Sequence, residues 1–437
     1  LSFLAKRPIG DGAAAGTAQS PDASVDATSA VRLGISISAF FGAVFLAYGV
    51  IVPYFPVWLY SRGLSPFEIA TITAAPLFVR VLFTPSVGML ADRLGNYRGV
   101  IVALAWIAVA LVLLVTRLNG YWPILLVGVS FLLCIGTMLP LIETVAVGAV
   151  RTAGLDYGRM RLWGSITFIV ANFAGGILIE ALGGSFAIWL IAVAAALTLV
   201  AAHALIRPPP RADTQGAPRV HWRLSFPVRL MRSRPFLMFL VAIGCTHGAH
   251  ATFYTFGALH WQAQGLSAAW VGTLWAIGVS AEVVLFAFSA PVVARFTPAQ
   301  LIVAGSAASV VRWTVMAFDP PLGVLLPLQT LHALTYGAAH LGAIMFITRA
   351  VPQKGLGSAQ AYYAVVAAGA ILGLVGLASG AIYTRFGGEV YFLPATVALI
   401  GFIAGVALLR TWRGGLLWPD GEISPTSQGS PARSGHP

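Results

Sequence analysis

Long apolar runs constrain this chain more than any motif does. Twelve can be drawn, near 33–59, 67–91, 99–116, 122–149, 162–182, 185–206, 236–261, 268–294, 299–318, 322–348, 358–384 and 391–409. Each is close to or above the roughly 20 residues that a helix needs to cross a hydrocarbon core. Backbone groups in lipid must be satisfied within the segment, so runs of this length predict helices. Charged residues make up 9% of the chain and hydrophobic ones 58%, whereas a soluble domain is about a quarter charged. The expected fold class is an all-α membrane protein with twelve transmembrane helices. Cys134 and Cys245 lie inside apolar runs and are expected to be packing residues, with neither a disulfide framework nor a metal site. No cofactor is expected.

The basic residues sit between the spans, so the net charge of +12 points to membrane topology and not to nucleic acid. With both ends placed inside, Lys6, Arg7, Arg32, Arg93, Arg98, Arg151, Arg159, Arg161, Arg295, Arg349, Lys354, Arg410 and Arg413 gather on one side, leaving Arg62, Arg117 and Arg385 on the other. That bias predicts cytoplasmic termini. Residues 1–30 lack an apolar core of signal-peptide length, so the first span is expected to act as an uncleaved targeting signal. Only Lys6 and Lys354 among 26 basic residues are lysines, a hint of a GC-rich bacterial genome and of an inner-membrane location. The expected organisation is a disordered segment 1–30, a six-helix bundle 31–206, a basic cytoplasmic linker 207–234, a second bundle 235–410 and a disordered tail 411–437, in a chain that works as a monomer.

The two bundles look like copies. Arg62-Gly-Leu-Ser65 matches Gln264-Gly-Leu-Ser267 at an offset of 202, and Gly176 to Gly184 matches Gly380 to Gly388 at an offset of 204. Under the first offset Arg80 falls on Glu282. An intramembrane charge costs roughly 2.5–3.5 kcal/mol on insertion scales, so opposite charges at related places predict a central polar site in a pseudo-symmetric transporter.

Between the second and third spans stands Gly88-Met-Leu-Ala-Asp92-Arg93-Leu-Gly95-Asn-Tyr-Arg98. It resembles the signature loop of the major facilitator superfamily, which implies that fold and a gating role for Gly88, Asp92, Arg93, Gly95 and Arg98. The glycines suit close helix approach and a tight reversal, and the aspartate suits a latch between bundles. In the second half Asp92-Arg93 falls on Ala294-Arg295, so any latch is asymmetric. Glu143, with Arg151 and Arg161 beyond it, is assigned to inner gating.

Asp156 to Ser165, Tyr254 through Gln262, Gly278 to Val283, Val311-Arg312-Trp313 and Leu328 to Ala333 resemble the 3-phenylpropionate transporter family, proton symporters similar in layout to lactose permease. The resemblance implies uptake of a small aromatic carboxylate with a proton. In that layout the spans carrying Glu282, Arg312 and His332 supply the coupling groups, so these three form the expected proton relay, with a static ion pair as the alternative for Glu282. His332, Tyr336 and His340 recur every four residues, with Gln329 one turn earlier, and share one helix face. His247, His250 and Tyr254 make a similar stripe. The expected cavity residues are His247, His250, Tyr254, Gln329, Tyr336 and His340 together with Arg80, which offers a planar fork to a carboxylate or else neutralises Glu282. Each histidine fits a packing role as well. Trp58, Trp261, Trp275 and Trp313 fit core packing better than cavity lining.

No His-Glu-x-x-His helix, Gly-x-Ser-x-Gly elbow or phosphate-binding loop is present, which argues against an enzyme. A sugar or nucleoside symporter, a drug/proton antiporter, and a channel or receptor stay open as alternatives. The expected partners are a small molecule, protons and the bilayer.

Overall fold

The computed structural model describes residues 27–206 and 225–418. The early part of the N-terminal segment, residues 207–224 of the linker with Arg207, Arg211, Arg219 and Arg223, and the tail from 419 lie outside the described residues. Among the described residues twelve long helical segments follow one another, with the short helices Ser225–Arg232 and Ser289–Arg295 between them. In the first half they are α1 (Ala27–Ser61), α2 (Pro66–Leu94), α3 (Tyr97–Val115), α4 (Tyr121–Ala153), α5 (Tyr157–Leu182) and α6 (Ala187–Ala204). In the second they are α7 (Arg234–Ala263), α8 (Ala268–Ala287), α9 (Pro298–Met316), α10 (Leu322–Ala350), α11 (356–386) and α12 (Phe392–Thr411). Among the described residues eleven stretches are long and apolar enough to cross a membrane, one fewer than expected, because Ile371–Thr411 runs on as a single 41-residue helical stretch. That stretch bends at Gly387, whose φ of 52° ends α11 before α12 begins.

Local chemistry sets the ends. Ser65 caps α2 in a reciprocal box with Glu68, and Pro66 fills the first helical position. Thr297, Pro298 and Gln300 repeat the device on α9. Such a cap is worth about 1 kcal/mol. Gly95 closes α2 in the left-handed conformation, φ 58°, which allows the reversal expected of the signature loop.

Three expected boundaries move. α1 starts at Ala27, ahead of the segment end placed at 30. Ser225–Arg232 inside the expected linker is a helix whose Leu230 is fully buried. After Thr411 the chain folds back: the Leu417 N–H donates to the Ala350 carbonyl at 2.7 Å, and Trp412 and Trp418 are buried. Aromatic rings following the last span find apolar cover there, so the described part of the expected tail is ordered.

The duplication is visible in the backbone. Ser65 and Ser267 cap α2 and α8 with nearly identical dihedrals, φ −69° ψ 158° and φ −67° ψ 157°. Gly63 and Gly265 before them both have positive φ, 80° and 91°, which favours glycine. Packing follows the same relation. α5 lies along α8, and α11 lies along α2. A Cβ on Gly176 would meet the Ala268 carbonyl at 2.4 Å, and one on the matching Gly380 would meet the Pro66 carbonyl at 3.1 Å and the Ala70 Cβ at 2.3 Å. Gly272 approaches the Asn172 carbonyl so closely that an added Cβ would stand 2.2 Å away.

These contacts join the halves on the face carrying the 62–65 and 264–267 turns. On α2 the buried residues run from Ile69 to Pro76 and then cease until Ala91; on α8 they cease at Gly278. Pro76 and Gly278 are equivalent under the 202-residue offset. The halves therefore part from mid-membrane onward, toward the face that bears both described chain ends, and Arg80 and Glu282 stand one turn inside that parting.

Gly272→Ala should destabilise by about 1–3 kcal/mol through overpacking, whereas Gly88→Ala, where a Cβ meets nothing within 4 Å, should be neutral or stabilising. Thermal unfolding of the two variants in detergent checks this; equal midpoints would refute the close-packed seam.

Candidate functional site

Two adjoining features occupy the centre. The first is a cavity of about 180 Å³ between the halves, lined by Tyr48, Phe55, Thr73, Arg80, Tyr254 and Thr255 together with apolar and glycine surface from α1, α2, α4, α7 and α11. Arg80 supplies its cation and is half-buried. Gly136 on α4 leaves room for it, since a Cβ there would touch both the Arg80 side chain and the Tyr48 hydroxyl at 3.7 Å.

The second is a buried polar cluster inside the second half. Arg312 on α9 is 1% exposed. Its guanidinium donates to Gln329 Oε1 at 2.6 Å, to Thr335 Oγ1 at 3.2 Å and to His332 Nδ1 at 3.2 Å. The same guanidinium lies 4.6 Å from the Trp313 ring centre and 5.1 Å from that of Phe253, a favourable placement for a desolvated cation. His332 Nε2 in turn stands 3.2 Å from Glu282 Oε2. Glu282, His332 and Arg312 thus form one chain of contacts from α8 through α10 to α9.

Donor counting fixes the protons. A guanidinium has no acceptor, so His332 Nδ1 must accept from Arg312, and the ring proton is left on Nε2, pointing at Glu282. His250 has the other arrangement. Its Nδ1 faces two carbonyls, Thr246 O at 3.1 Å and His247 O at 3.2 Å, and must carry the proton. Its Nε2 then accepts from the Thr335 hydroxyl at 3.1 Å, which itself accepts from Arg312. Both imidazoles beside Arg312 are held neutral, in opposite tautomers. Glu282 is the carboxylate in the chain.

Breaks in regular helix put these groups in register. α10 passes through a π-helical stretch, Ala333–Ala338, between His332 and His340, and α7 is interrupted at Ala249–His250. π-turns concentrate at functional sites. Across the stretch, the rings of His332, Tyr336 and His340 stack at 5.6 and 6.1 Å, and His247 stacks on Tyr336 at 4.7 Å. Tyr363 on α11 joins His340 at 2.8 Å and His247 at 3.5 Å.

Of the seven expected cavity residues, only Arg80 and Tyr254 line the cavity. His247, His250 and Gln329 are buried away from it, because the carbonyls of α7 hold His250 and the guanidinium engages Gln329. Tyr336 and His340 belong to the ring stack. The described partner of Glu282 is His332. The four tryptophans Trp58, Trp261, Trp275 and Trp313 are core residues, none more than 5% exposed. Sequence reasoning missed Tyr48, Thr73, Thr255 and Thr335. Thr335 was findable, lying three residues after His332 on the same helix.

The gating candidates divide. Asp92 accepts from the Tyr97 hydroxyl at 2.5 Å, and Arg98 donates to the His203 carbonyl at 2.7 Å, contacts that stay within the first half. Arg93 is exposed. Gly88 makes no close helix approach, since the halves are parted on its face. Glu143 and Arg161 are half-buried; Arg161 lies over the Phe45 ring at 3.7 Å and within Coulombic reach of Glu143 and, across the parting, of Glu282.

Two repeated, seam-packed halves around a mid-membrane cavity define a membrane transporter of the major facilitator type. Residues 34–394 match the MFS_1 like family, and the chain belongs to it. A "Probable 3-phenylpropionic acid transporter" of Escherichia coli (strain K12) is 31% identical over 361 residues, covering 81% of this chain and 92% of the relative. "Maltose permease" of Geobacillus stearothermophilus is 27% identical over 378 residues, covering 86% and 94%. Among solved structures, nucleoside transporter NupG superposes with a TM-score of 0.70 at 17% identity, over 86% of this chain and 98% of that one.

Nitrogen-15 spectra of histidine-labelled protein should show His332 protonated at Nε2 and His250 at Nδ1, and Arg312→Met should release the His332 preference. A His332 signal already protonated at Nδ1 in the unsubstituted protein would contradict the chain of donors.

Proposed function

We propose that the chain takes up small aromatic carboxylates together with protons, by rocking of its two halves about the central cavity. The observation that carries this reading is the position of Tyr254, which lines the cavity while its ring stands 5.7 Å from His250, inside the polar cluster that contains Glu282. A bound cargo would therefore touch the group next to the proton site. Arg80 serves as the head-group cation, and Ile51, Val52, Phe55 and Leu77 suit a ring better than a polyhydroxylated sugar. The resemblance to the phenylpropionic acid transporter, the higher of the two relatives' identities above, points the same way.

In this mechanism Glu282 takes and gives up the proton, His332 presents its Nε2–H to the carboxylate, and Arg312 orients His332. Coupling requires that singly loaded forms reorient poorly. The parted face is the cytoplasmic one, as the arginine bias implies, so both termini lie inside and the membrane is the bacterial inner membrane. The Gly88–Arg98 loop, Glu143 and Arg161 close that face in the opposite state, and the working unit is a monomer.

Glu282→Gln should retain cargo exchange across proteoliposomes while losing accumulation driven by a proton gradient; normal uphill uptake by this variant would reject Glu282 as the proton carrier. Arg80→Ala should weaken binding of 3-phenylpropionate by about tenfold or more, as loss of a charged hydrogen bond does, with little change for the neutral amide. Equal losses for acid and amide would remove the head-group role.

A further inference from the structure

At the closed end of the cavity two hydroxyls from opposite halves face each other. Thr73 on α2 and Thr255 on α7 both line it, with their Oγ1 atoms 3.4 Å apart. The Thr73 hydroxyl faces the carbonyls of Ile69 at 3.0 Å and Ala70 at 3.1 Å, and a carbonyl only accepts, so Thr73 donates there. Its lone pairs are left for Thr255. The described hydrogen bond of Thr255 is this one with Thr73, whereas Thr246 and Ser379 nearby each bond back to the carbonyl four residues earlier. Thr255 thus donates to Thr73 over a long, weak contact and turns its own lone pairs toward the cavity. The chain of donors has a fixed direction, running from the cavity to the α2 backbone, and its open end is an acceptor.

Arg80 lies seven residues after Thr73, on the same face of α2 and roughly 10 Å along its axis at 1.5 Å per residue. A carboxylate, a two-carbon spacer and a benzene ring laid end to end fill such a span, which puts the far ring carbon beside Thr255. We propose that the Thr73–Thr255 pair is a second recognition point, which selects cargo carrying a hydrogen-bond donor at the end remote from the carboxylate, such as a ring hydroxyl. This inference rests on the carboxylate reading above. A phenolic O–H would extend the chain by one link, Thr255 would tighten on Thr73, and the two halves would be drawn together over the cargo. A methoxy group in that place offers only an acceptor to an acceptor and is rejected, because sites built for a donor discriminate strongly against analogues lacking one.

The test uses the full chain in nanodiscs and three probes, 3-phenylpropionate, 3-(4-hydroxyphenyl)propionate and 3-(4-methoxyphenyl)propionate, with binding measured by calorimetry. The hydroxylated acid should bind about tenfold tighter than the methoxy acid, the ratio expected for one hydrogen bond. In T255V that ratio should fall to about one, and T255S should restore it, which separates loss of the hydroxyl from loss of fold. A ratio near one in the unsubstituted protein, or a ratio that survives T255V, overturns the proposal. Failure of 3-phenylpropionate itself to bind sinks the carboxylate reading and this inference with it, a result distinct from binding without discrimination.

Discussion

A guanidinium almost wholly removed from solvent, at Arg312, is the constraint around which the second half is organised. A charge at that depth is costly unless its donors are met, and here the two terminal nitrogens reach neutral acceptors, an amide oxygen, a hydroxyl and an imidazole nitrogen, while Nε has no described partner. The nearest compensating negative charge in the contact chain sits one ring away on Glu282. Binding of a proton at Glu282 therefore changes the field felt by an arginine it does not touch. His332, pinned in one tautomer from behind, is the connection, and the π-helical stretch that follows it keeps the rings of α10 aligned.

The duplication explains why the site lies where it does. Equivalent glycines on α5 and α11 press against equivalent starts of α8 and α2, and both seams end at the same repeat position, Pro76 in one half and Gly278 in the other. One turn further on, symmetry of backbone meets asymmetry of chemistry, for the same position holds Arg80 in one copy and Glu282 in the other. The cation faces the cavity and the carboxylate faces its own half. Divergence of a single repeat position thus sets a cation on the cavity and a carboxylate against the buried cluster.

The approximate positions of the spans were legible in the sequence because hydrophobic length and the Ser, Thr, Pro and Gly punctuation act locally. Glu282, Arg312 and His332 were legible because ionisable residues are rare in apolar runs. What stayed hidden depends on contacts between distant helices. His247 and His250 share a helix face with Tyr254 in the sequence, yet α7 is interrupted beside them, the His247 ring joins the stack on Tyr336, and backbone carbonyls accept from His250 Nδ1. Thr73 and Thr255 resemble the many membrane threonines that bond to their own helix; only their meeting across the halves, 182 positions apart, makes them a pair. The fold-back of Trp412 and Trp418 was hidden for the same reason, since low periodicity resembles disorder until an apolar surface covers it.

Tyr254 links the cavity wall to the buried polar cluster without a long pathway. Its ring belongs to the cavity wall, it neighbours Thr255 in sequence, and it stands within Coulombic reach of both Arg312 and Glu282. α7 is interrupted at His250, whose ring is hydrogen-bonded to Thr335 and through it to Arg312. Two breaks in regular helix, the interruption of α7 and the π-turn of α10, lie within a few ångströms of the ionisable groups. Coupling of this kind needs a bistable element biased by both ligands, and α7 and α10 are placed to supply it.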